Sequence, residues 1–288
     1  MRICSEFQHD LKSFWQRHDS TLSVLDFESW AATIDLAHNL YRGMPASFNR
    51  FFAFWQYRAI QKLLQACPPR FGERVLDLGC GTGRWSRLFQ NLGASTVGVD
   101  LGMNALRWAF QLSPSGSWVA MEIPHLGFRD ASFDWAVSVT VLQHLPYESQ
   151  EEALRETRRV LRPEGQLIAM ELCGESEEEF YVFPRPRMGW EDLFSRYGFQ
   201  VVKRQASERI PWVPLFRCLA RWKPDGGEKG RRPLVEWASA WLHRGRTPVA
   251  GLLLYLFLAI GYPLESLAAA IGLDRWARYT AWLLRRWD

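Results

Sequence analysis

The chain has 288 residues and a net charge of +4, with 48% hydrophobic and 23% charged residues. This length allows one large domain or a domain with an appendage, and the composition excludes disordered and collagen-like proteins. Residues 203–288 carry 15 basic and 7 acidic side chains, a balance of +8, whereas residues 1–202 sum to −4. The terminal segment therefore favours anionic surroundings. The net acidic remainder, which has no recognition motif, argues against nucleic acid as a partner.

The cysteines predict that the protein is located in the reducing environment of the cytoplasm. There are five of them, an odd number, without a C-x-x-C pair or clustered histidines that would complete a metal site. The N-terminus has acidic and polar residues where a signal peptide needs an apolar run, so we expect neither secretion nor a bound metal.

Two helices are predicted before the first strand. Apolar residues at helical spacing mark residues 24–34 and again residues 48–66, and Pro68 and Pro69 end the second helix. Residues 1–70 are therefore expected to form a helical cover. Within this cover Tyr41 and Arg42 are the candidates for ligand contact, whereas the aromatic residues near position 52 are expected to dock the helix.

Strand and helix patterns then alternate up to residue 206. Apolar runs predict strands at 74–78, 95–99, 118–121, 133–139, 165–172 and 199–204. Helical patterns lie between them, at 84–92, 103–112, about 151–161 and 190–197. Because each crossover has the length of a helix, we expect an α/β fold with a doubly wound parallel sheet.

A glycine-rich turn follows the first predicted strand. Asp77 precedes glycines at the alternate positions 79, 81 and 83, where the backbone must bend tightly and approach a ligand closely. The spacing is G-x-G-x-G rather than the G-x-G-x-x-G of dinucleotide-binding proteins, and an acid before it suits an ammonium better than a pyrophosphate. Asp100 ends the second strand, where a carboxylate accepts both hydroxyls of a ribose. An adenosine that carries a cation is the ligand this pattern predicts, with Glu122 and Ile123 at its adenine.

These motifs resemble those of the Rossmann-like (class I) S-adenosylmethionine-dependent methyltransferases of the small-molecule type. VLDLGCGTG at 75–83 is similar to the family's first motif, and VGVDLGMNAL at 97–106 resembles its ribose-binding motif. The stretches 124–145 and 161–172 resemble the family's fourth strand and its turn into the fifth. The resemblance covers about 71–206 and implies a methyltransferase core that uses S-adenosyl-L-methionine and releases S-adenosyl-L-homocysteine.

The resemblance also implies roles for individual residues. The glycine loop would hold the methionine moiety, and Thr140 and His144 would border the methionine end and the mouth for the substrate. His144 is either a general base, with a pKa near neutrality, or a residue that packs the following helix. Tyr147, like Tyr41 and Arg42, is assigned to the substrate or lid side. The expected cofactor-binding residues are Asp77, Gly79, Cys80, Gly81, Thr82, Gly83, Asp100, Leu101, Met103, Glu122, Ile123 and Thr140.

The family usually ends with an antiparallel seventh strand, and residues 277–288 resemble it. Residues 207–276 would then form a helical, basic and aromatic insertion before the last strand, with a helix around 234–242. Within it residues 247–264 carry no charge but contain two prolines and two glycines, so a membrane span is not expected. Two interpretations remain: a buried or pocket-lining helix, and a hairpin that contacts a membrane through 247–271 with arginines at the headgroups.

The sequence thus predicts methyl transfer to O, N or C of a small apolar or aromatic acceptor. The alternatives are a peripheral membrane enzyme for a lipid or quinone and an enzyme of this fold that uses S-adenosylmethionine for another reaction. A binding module without turnover is a further alternative. The acceptor and the oligomeric state are left open by the sequence.

Overall fold

The computed structural model describes Ser13 and residues 46–174, 181–210 and 248–287. Tyr41, Arg42 and the helices predicted at 24–34 and 234–242 lie outside the described residues.

Seven strands form one sheet. They are β1 Arg74–Leu78, β2 Ser95–Asp100, β3 Ser117–Ala120, β4 Phe133–Val139, β5 Leu161–Leu172, β6 Phe199–Ser207 and β7 Tyr279–Arg286. Their order is β3-β2-β1-β4-β5-β7-β6. The pairs from β3 to β5 are parallel, whereas β7 runs antiparallel to β5. The expected doubly wound sheet with an antiparallel last strand is therefore confirmed.

Six helices of eight or more residues occur in the described part of the chain. They are α1 Ala46–Leu64, α2 Arg84–Asn91, α3 Met103–Leu112, α4 Tyr147–Val160, α5 Arg187–Arg196 and α6 Pro248–Ala270. Short 3₁₀ turns occupy Ile123–His125, Leu142–His144 and Leu273–Trp276. The helices α2 to α4 connect parallel strands, as the crossover lengths predict.

The strands are apolar because a sheet covered by helices buries both of its faces. Residues of β4, β5 and β7, such as Phe133, Leu167 and Trp282, lie in one core cluster with residues of α5. The fifth strand begins at Leu161, four residues earlier than predicted, because Leu161 pairs with Phe133 before a register shift. These buried strands fix the loops at their carboxyl ends, where the candidate site lies.

The described residues divide into two compact units. The first contains the sheet, within 60–205 and 279–287, and the second contains residues 46–59, 206–210 and 248–278. In the second unit α6 continues through Gly261 and Pro263. The hairpin interpretation of 247–264 is therefore wrong, and one helix takes its place. No helix in the described ranges has the length and apolar character needed to cross a membrane.

Candidate functional site

The glycine loop between β1 and α2 has a backbone that side chains would disturb. Gly79, Gly81 and Gly83 have φ of 61°, 53° and 80°, in the left-handed region that favours glycine. A Cβ on Gly79 would lie 2.7 Å from the side chain of Val141, and one on Gly83 would overlap the Trp118 ring. A side chain at Gly79 or Gly83 would therefore displace Val141 or Trp118, and all three positions favour glycine through their φ; we call this glycine loop the cradle.

Asp77 lies beneath this loop and is fully buried. Its Oδ2 accepts hydrogen bonds from the Ser86 backbone N–H at 2.9 Å and the Ser86 hydroxyl at 2.7 Å. Burial raises the pKa of the Asp77 carboxyl to about 7, against the opposing effect of the two bonds from Ser86. In this arrangement Asp77 fastens β1 to the first turn of α2, and its contact with an ammonium stays a prediction.

Asp100 lies at the carboxyl end of β2 and joins two turns. Its Oδ2 accepts the Gly81 N–H at 2.8 Å, and its Oδ1 accepts the Gly102 N–H at 2.8 Å. The carboxylate is half-buried. It is therefore in direct contact with the glycine loop, and its contact with a ribose stays a prediction.

The other residues of the predicted cofactor site surround these two turns. Cys80 and Thr82 are buried within the loop, and burial raises the pKa of the Cys80 thiol. Leu101 precedes the Gly102 cap of α3, while Met103 opens that helix and is 51% exposed. Glu122 precedes the short turn Ile123–His125. Ile123 is buried in the core cluster, which leaves its contact with adenine a prediction.

This cradle and carboxylate fit S-adenosylmethionine. The glycine loop allows a ligand to lie close to the backbone, and Asp100 offers acceptor oxygens for hydroxyl groups at the edge of the same loop. A second acid, Glu122, lies two residues beyond β3, the strand next to β2. The chain therefore places the residue types that the cofactor needs along one edge of the sheet.

The turn after β4 is held by a buried acid. Glu171 in β5 is fully buried, and its carboxylate accepts the Ser138 hydroxyl and the N–H groups of Leu142 and Gln143, each at 3.1 Å. Burial raises the pKa of Glu171 to about 8 despite these bonds. Thr140 begins the turn with a φ of 58°, a strained value for this residue.

Gln143 and His144 connect this turn to residues 181–183. The Gln143 side chain accepts the Leu172 N–H at 2.7 Å, and its backbone carbonyl accepts the Phe183 N–H at 2.6 Å. His144 Nδ1 lies 3.0 Å from the Tyr181 carbonyl oxygen, and the two rings stack with centroids 5.9 Å apart. Tyr147 at the start of α4 donates to the Pro184 carbonyl at 3.3 Å.

Burial gives His144 a pKa of about 4, well below its ordinary value of 6.5. The near-neutral pKa expected from the sequence is therefore wrong, because desolvation disfavours the imidazolium. At pH 7 the ring is neutral. The carbonyl of Tyr181 is an acceptor only, so Nδ1 carries the proton and Nε2 keeps its lone pair.

Three residues at this site were not predicted from the sequence: Trp118, Gln143 and Glu171. A signal exists for Glu171, since it is a lone acid at the end of the buried run LIAMEL. Trp118 faces Gly83 and Gly98 across β2, and a Cβ on Gly98 would lie 2.6 Å from its ring. The sequence shows no comparable signal for Gln143.

Known proteins share this sequence pattern. A family model described as "Methyltransferase domain" matches residues 76–169. A malonyl-[acyl-carrier protein] O-methyltransferase of Erwinia pyrifoliae is 35% identical over 204 residues, which are 70% of this chain and 75% of that protein. A demethylmenaquinone methyltransferase of Thermotoga maritima is 30% identical over 139 residues, 46% of this chain and 58% of that protein.

Solved structures show the same fold. The [4+2]-cyclase SpnF superposes with a TM-score of 0.51 at 17% identity, over 84% of this chain and 81% of that one. Its name shows that the fold does not by itself decide the reaction. The family model and the relatives identify the reaction type, and the order of the strands agrees with it: the chain belongs to the class I S-adenosylmethionine-dependent methyltransferases and uses S-adenosylmethionine as its methyl donor.

Proposed function

We propose that the chain methylates O, N or C of a small apolar or aromatic acceptor, which approaches the turn after β4. The observation that carries the proposal is the half-buried His144 ring, which stacks on Tyr181 beside a turn whose Val141 lies close to Gly79, in surroundings that lower the pKa of the imidazole. Surroundings that disfavour an imidazolium also disfavour a charged acceptor.

The names of the relatives support a small acceptor group but do not identify the acceptor of this chain. One name gives an oxygen of a malonyl group on acyl carrier protein, and the other gives a demethylmenaquinone. The two acceptors differ in chemistry although the relatives share the methyltransferase core. Acceptor choice in this chain therefore belongs to residues outside the shared motifs, among which we place Tyr147 and Tyr181.

Each part of the site has a separate task in this proposal. Bound S-adenosylmethionine supplies a methyl group that its sulfonium has already activated. The glycine loop holds the methionine end, and Asp100 accepts hydrogen bonds from the ribose hydroxyls. Thr140 and the turn fixed by Glu171 align the acceptor with the methyl group, and such alignment accounts for much of the rate of an in-line transfer.

We assign His144 the role of a general base for acceptors that must lose a proton. Its Nδ1 donates to the Tyr181 carbonyl, and the lone pair of its Nε2 faces the Gln143 amide Nε2 3.4 Å away, which must move aside before Nε2 takes a proton from an acceptor. The ring is therefore fixed in one tautomer with its lone pair on Nε2. A general base whose pKa lies near the operating pH contributes roughly 10²–10⁴-fold to a rate, and the lowered pKa of His144 places its contribution toward the lower end of that range.

The proposal is tested first by isothermal titration of the full chain with S-adenosylmethionine and S-adenosylhomocysteine, with NADH as the control. Binding of the two sulfur compounds alone is expected. A panel of phenols, quinols, amines and carboxylic acids then follows, with S-adenosylhomocysteine formation measured by mass spectrometry. Turnover confined to charged acceptors would contradict the apolar or aromatic class, and product formation without S-adenosylhomocysteine would contradict methyl transfer.

A further inference from the structure

The exposed face of α6 is a row of large apolar side chains. Ile260, Leu264, Leu267 and Ile271 are 55%, 41%, 56% and 62% exposed. Their spacing of four, three and four residues places them on one side of a helix and just beyond its end. We call these four residues the apolar row. A surface helix of a protein surrounded only by water would present polar side chains there.

The opposite face of α6 carries the charge. Glu265 is fully buried and accepts the N–H groups of Arg209 at 2.6 Å and Ile210 at 3.1 Å. The Arg209 side chain is 4% exposed and lies 3.7 Å from Glu265 through its guanidinium. Burying an ion pair is costly, whereas burying Leu264 or Leu267 would be favourable. The helix α6 therefore buries its acid and exposes its apolar row, which is the reverse of the usual arrangement of a surface helix in water.

The rotation of α6 about its axis is fixed from two sides. Besides the contacts of Glu265, the ring of Tyr262 packs edge-on against Phe51 and Phe54, with centroids 5.1 and 5.0 Å away. Both contacts lie within the second compact unit. The exposure of the apolar row thus follows from specific packing on the rest of the helix.

One cation and one aromatic ring follow the apolar row, in the short turn Leu273–Trp276. Trp276 is 64% exposed, and the Arg275 guanidinium lies 5.2 Å from its ring centroid. The nearby acid Asp274 is paired with Arg209 at 2.7 Å. Tryptophan and arginine at the edge of an apolar helix face are typical of helices that lie at a membrane surface.

We propose that the apolar row, with Arg275 and Trp276, is the surface through which the chain binds an anionic lipid bilayer. The row enters the interface of one leaflet, and Arg275 lies at the headgroups. The balance of +8 over residues 203–288 favours this occupant over a second copy of the chain, because two such segments repel each other. The proposal concerns attachment and does not depend on which acceptor is methylated.

The test is co-sedimentation of the full chain with two kinds of vesicle, phosphatidylcholine alone and phosphatidylcholine mixed with phosphatidylglycerol. We expect sedimentation with the mixed vesicles, weakened by added salt. The double variant Leu267→Glu with Ile271→Glu should bind at least about tenfold more weakly, because two apolar side chains no longer enter the lipid. Since both side chains are exposed in the folded chain, the variant is expected to fold.

The matched control is Phe110→Glu. Phe110 is also an exposed apolar side chain on a helix, 57% exposed on α3. It should leave vesicle binding unchanged, and titration with S-adenosylmethionine should give the same affinity for all three proteins. Loss of cofactor binding alone would count against the enzymatic assignment and not against the membrane surface.

Three results would overturn the proposal that the apolar row binds a membrane. The first is no sedimentation of the wild-type chain with either vesicle while cofactor binding is normal. The second is equal sedimentation of the wild type and the double variant. The third is a wild-type dimer in sedimentation velocity that the double variant converts to a monomer, since the apolar row would then be covered by a second copy.

Discussion

Two aspartates at opposite ends of the sheet have different expected roles, one in ligand binding and one in structure. Asp100 accepts the Gly81 N–H at the carboxyl end of β2. Asp134, near the start of β4, accepts the Arg74 N–H at 2.8 Å and pairs with Arg162. Their chemistry is the same, but parallel α/β sheets bind ligands at the carboxyl ends of their strands.

We therefore predict that Asp100→Ala weakens S-adenosylmethionine binding by about 1.5–3 kcal/mol, the scale of a hydrogen bond to a charged group. Isothermal titration measures the change. Asp134→Ala is the control, and it should lower the denaturation midpoint without changing the dissociation constant. An unchanged dissociation constant in Asp100→Ala would refute the ribose assignment.

His144 gives a second prediction. Because burial lowers its pKa to about 4, the ring stays neutral down to that pH and loses its lone pair only below it. With an acceptor that must lose a proton, the acid limb of kcat/KM should lie near pH 4. We expect His144→Gln to lower kcat/KM by about 100-fold or more with little change in cofactor affinity. A variant as active as wild type would show that the ring only packs, whereas an acid limb near pH 6.5 would contradict the lowered pKa of His144.

The sequence predicts the residues of this site unevenly. The glycines are predictable because a tight loop that a ligand approaches closely admits few residues with a side chain. Asp100 is predictable because parallel sheets bind ligands at the carboxyl ends of their strands. A sequence motif does not show how deeply a side chain is buried, so the pKa predicted for His144 was wrong. Glu171 was missed because its partners, Ser138 and the turn after β4, lie about thirty residues away along the chain.

At the scale of elements, the turn after β4 depends on Glu171. The folded state raises the pKa of this carboxyl from 4.5 to about 8, so it binds a proton more strongly than the unfolded chain does. Between these two pH values the unfolding free energy therefore falls as the pH rises. The loss caused by Glu171 is on the order of a few kcal/mol.

We predict that Glu171→Gln removes this part of the pH dependence. Urea unfolding at pH 5 and at pH 8.5 gives the difference in unfolding free energy for each protein. That difference should be smaller in Glu171→Gln than in wild type, whereas the exposed Glu148→Gln should match wild type. Equal pH dependence in all three proteins would mean that Glu171 is ionised throughout this range.

Elements of the sheet were predicted well, whereas α6 was only one of two interpretations of its segment and was not expected to continue to Ala270. Strands β1 and β4 and helix α3 have the bounds that apolar periodicity gives, because each lies in one buried setting along its whole length. The prolines and glycines within 247–264 left both a buried helix and a hairpin open, but Pro248 occupies the first position of α6, where a helix has no partner for a backbone N–H. Tertiary contacts of Glu265 and Tyr262 then hold the helix past Pro263.

For the whole molecule, the order of the strands makes the C-terminus indispensable. β7 is the last strand in the chain, yet it lies between β5 and β6 in the sheet. Seven residue pairs join it to β5, from Gln166 with Arg285 to Leu172 with Tyr279. Its residues 281–284 are fully buried, so the core of the first unit closes only when the end of the chain is in place.

We predict that a chain ending at residue 278 does not fold, although every expected cofactor-binding residue lies before that point. Without β7 the strands β5 and β6 present unpaired edges and the core cluster loses Trp282 and Leu284, so the product should aggregate. A chain ending at Arg286 is the control, because it keeps all of β7 and should bind S-adenosylmethionine like the full chain. Circular dichroism and cofactor titration distinguish the two. A soluble 1–278 chain that binds the cofactor would show that the five parallel strands form a self-sufficient core and that β7 is an accessory.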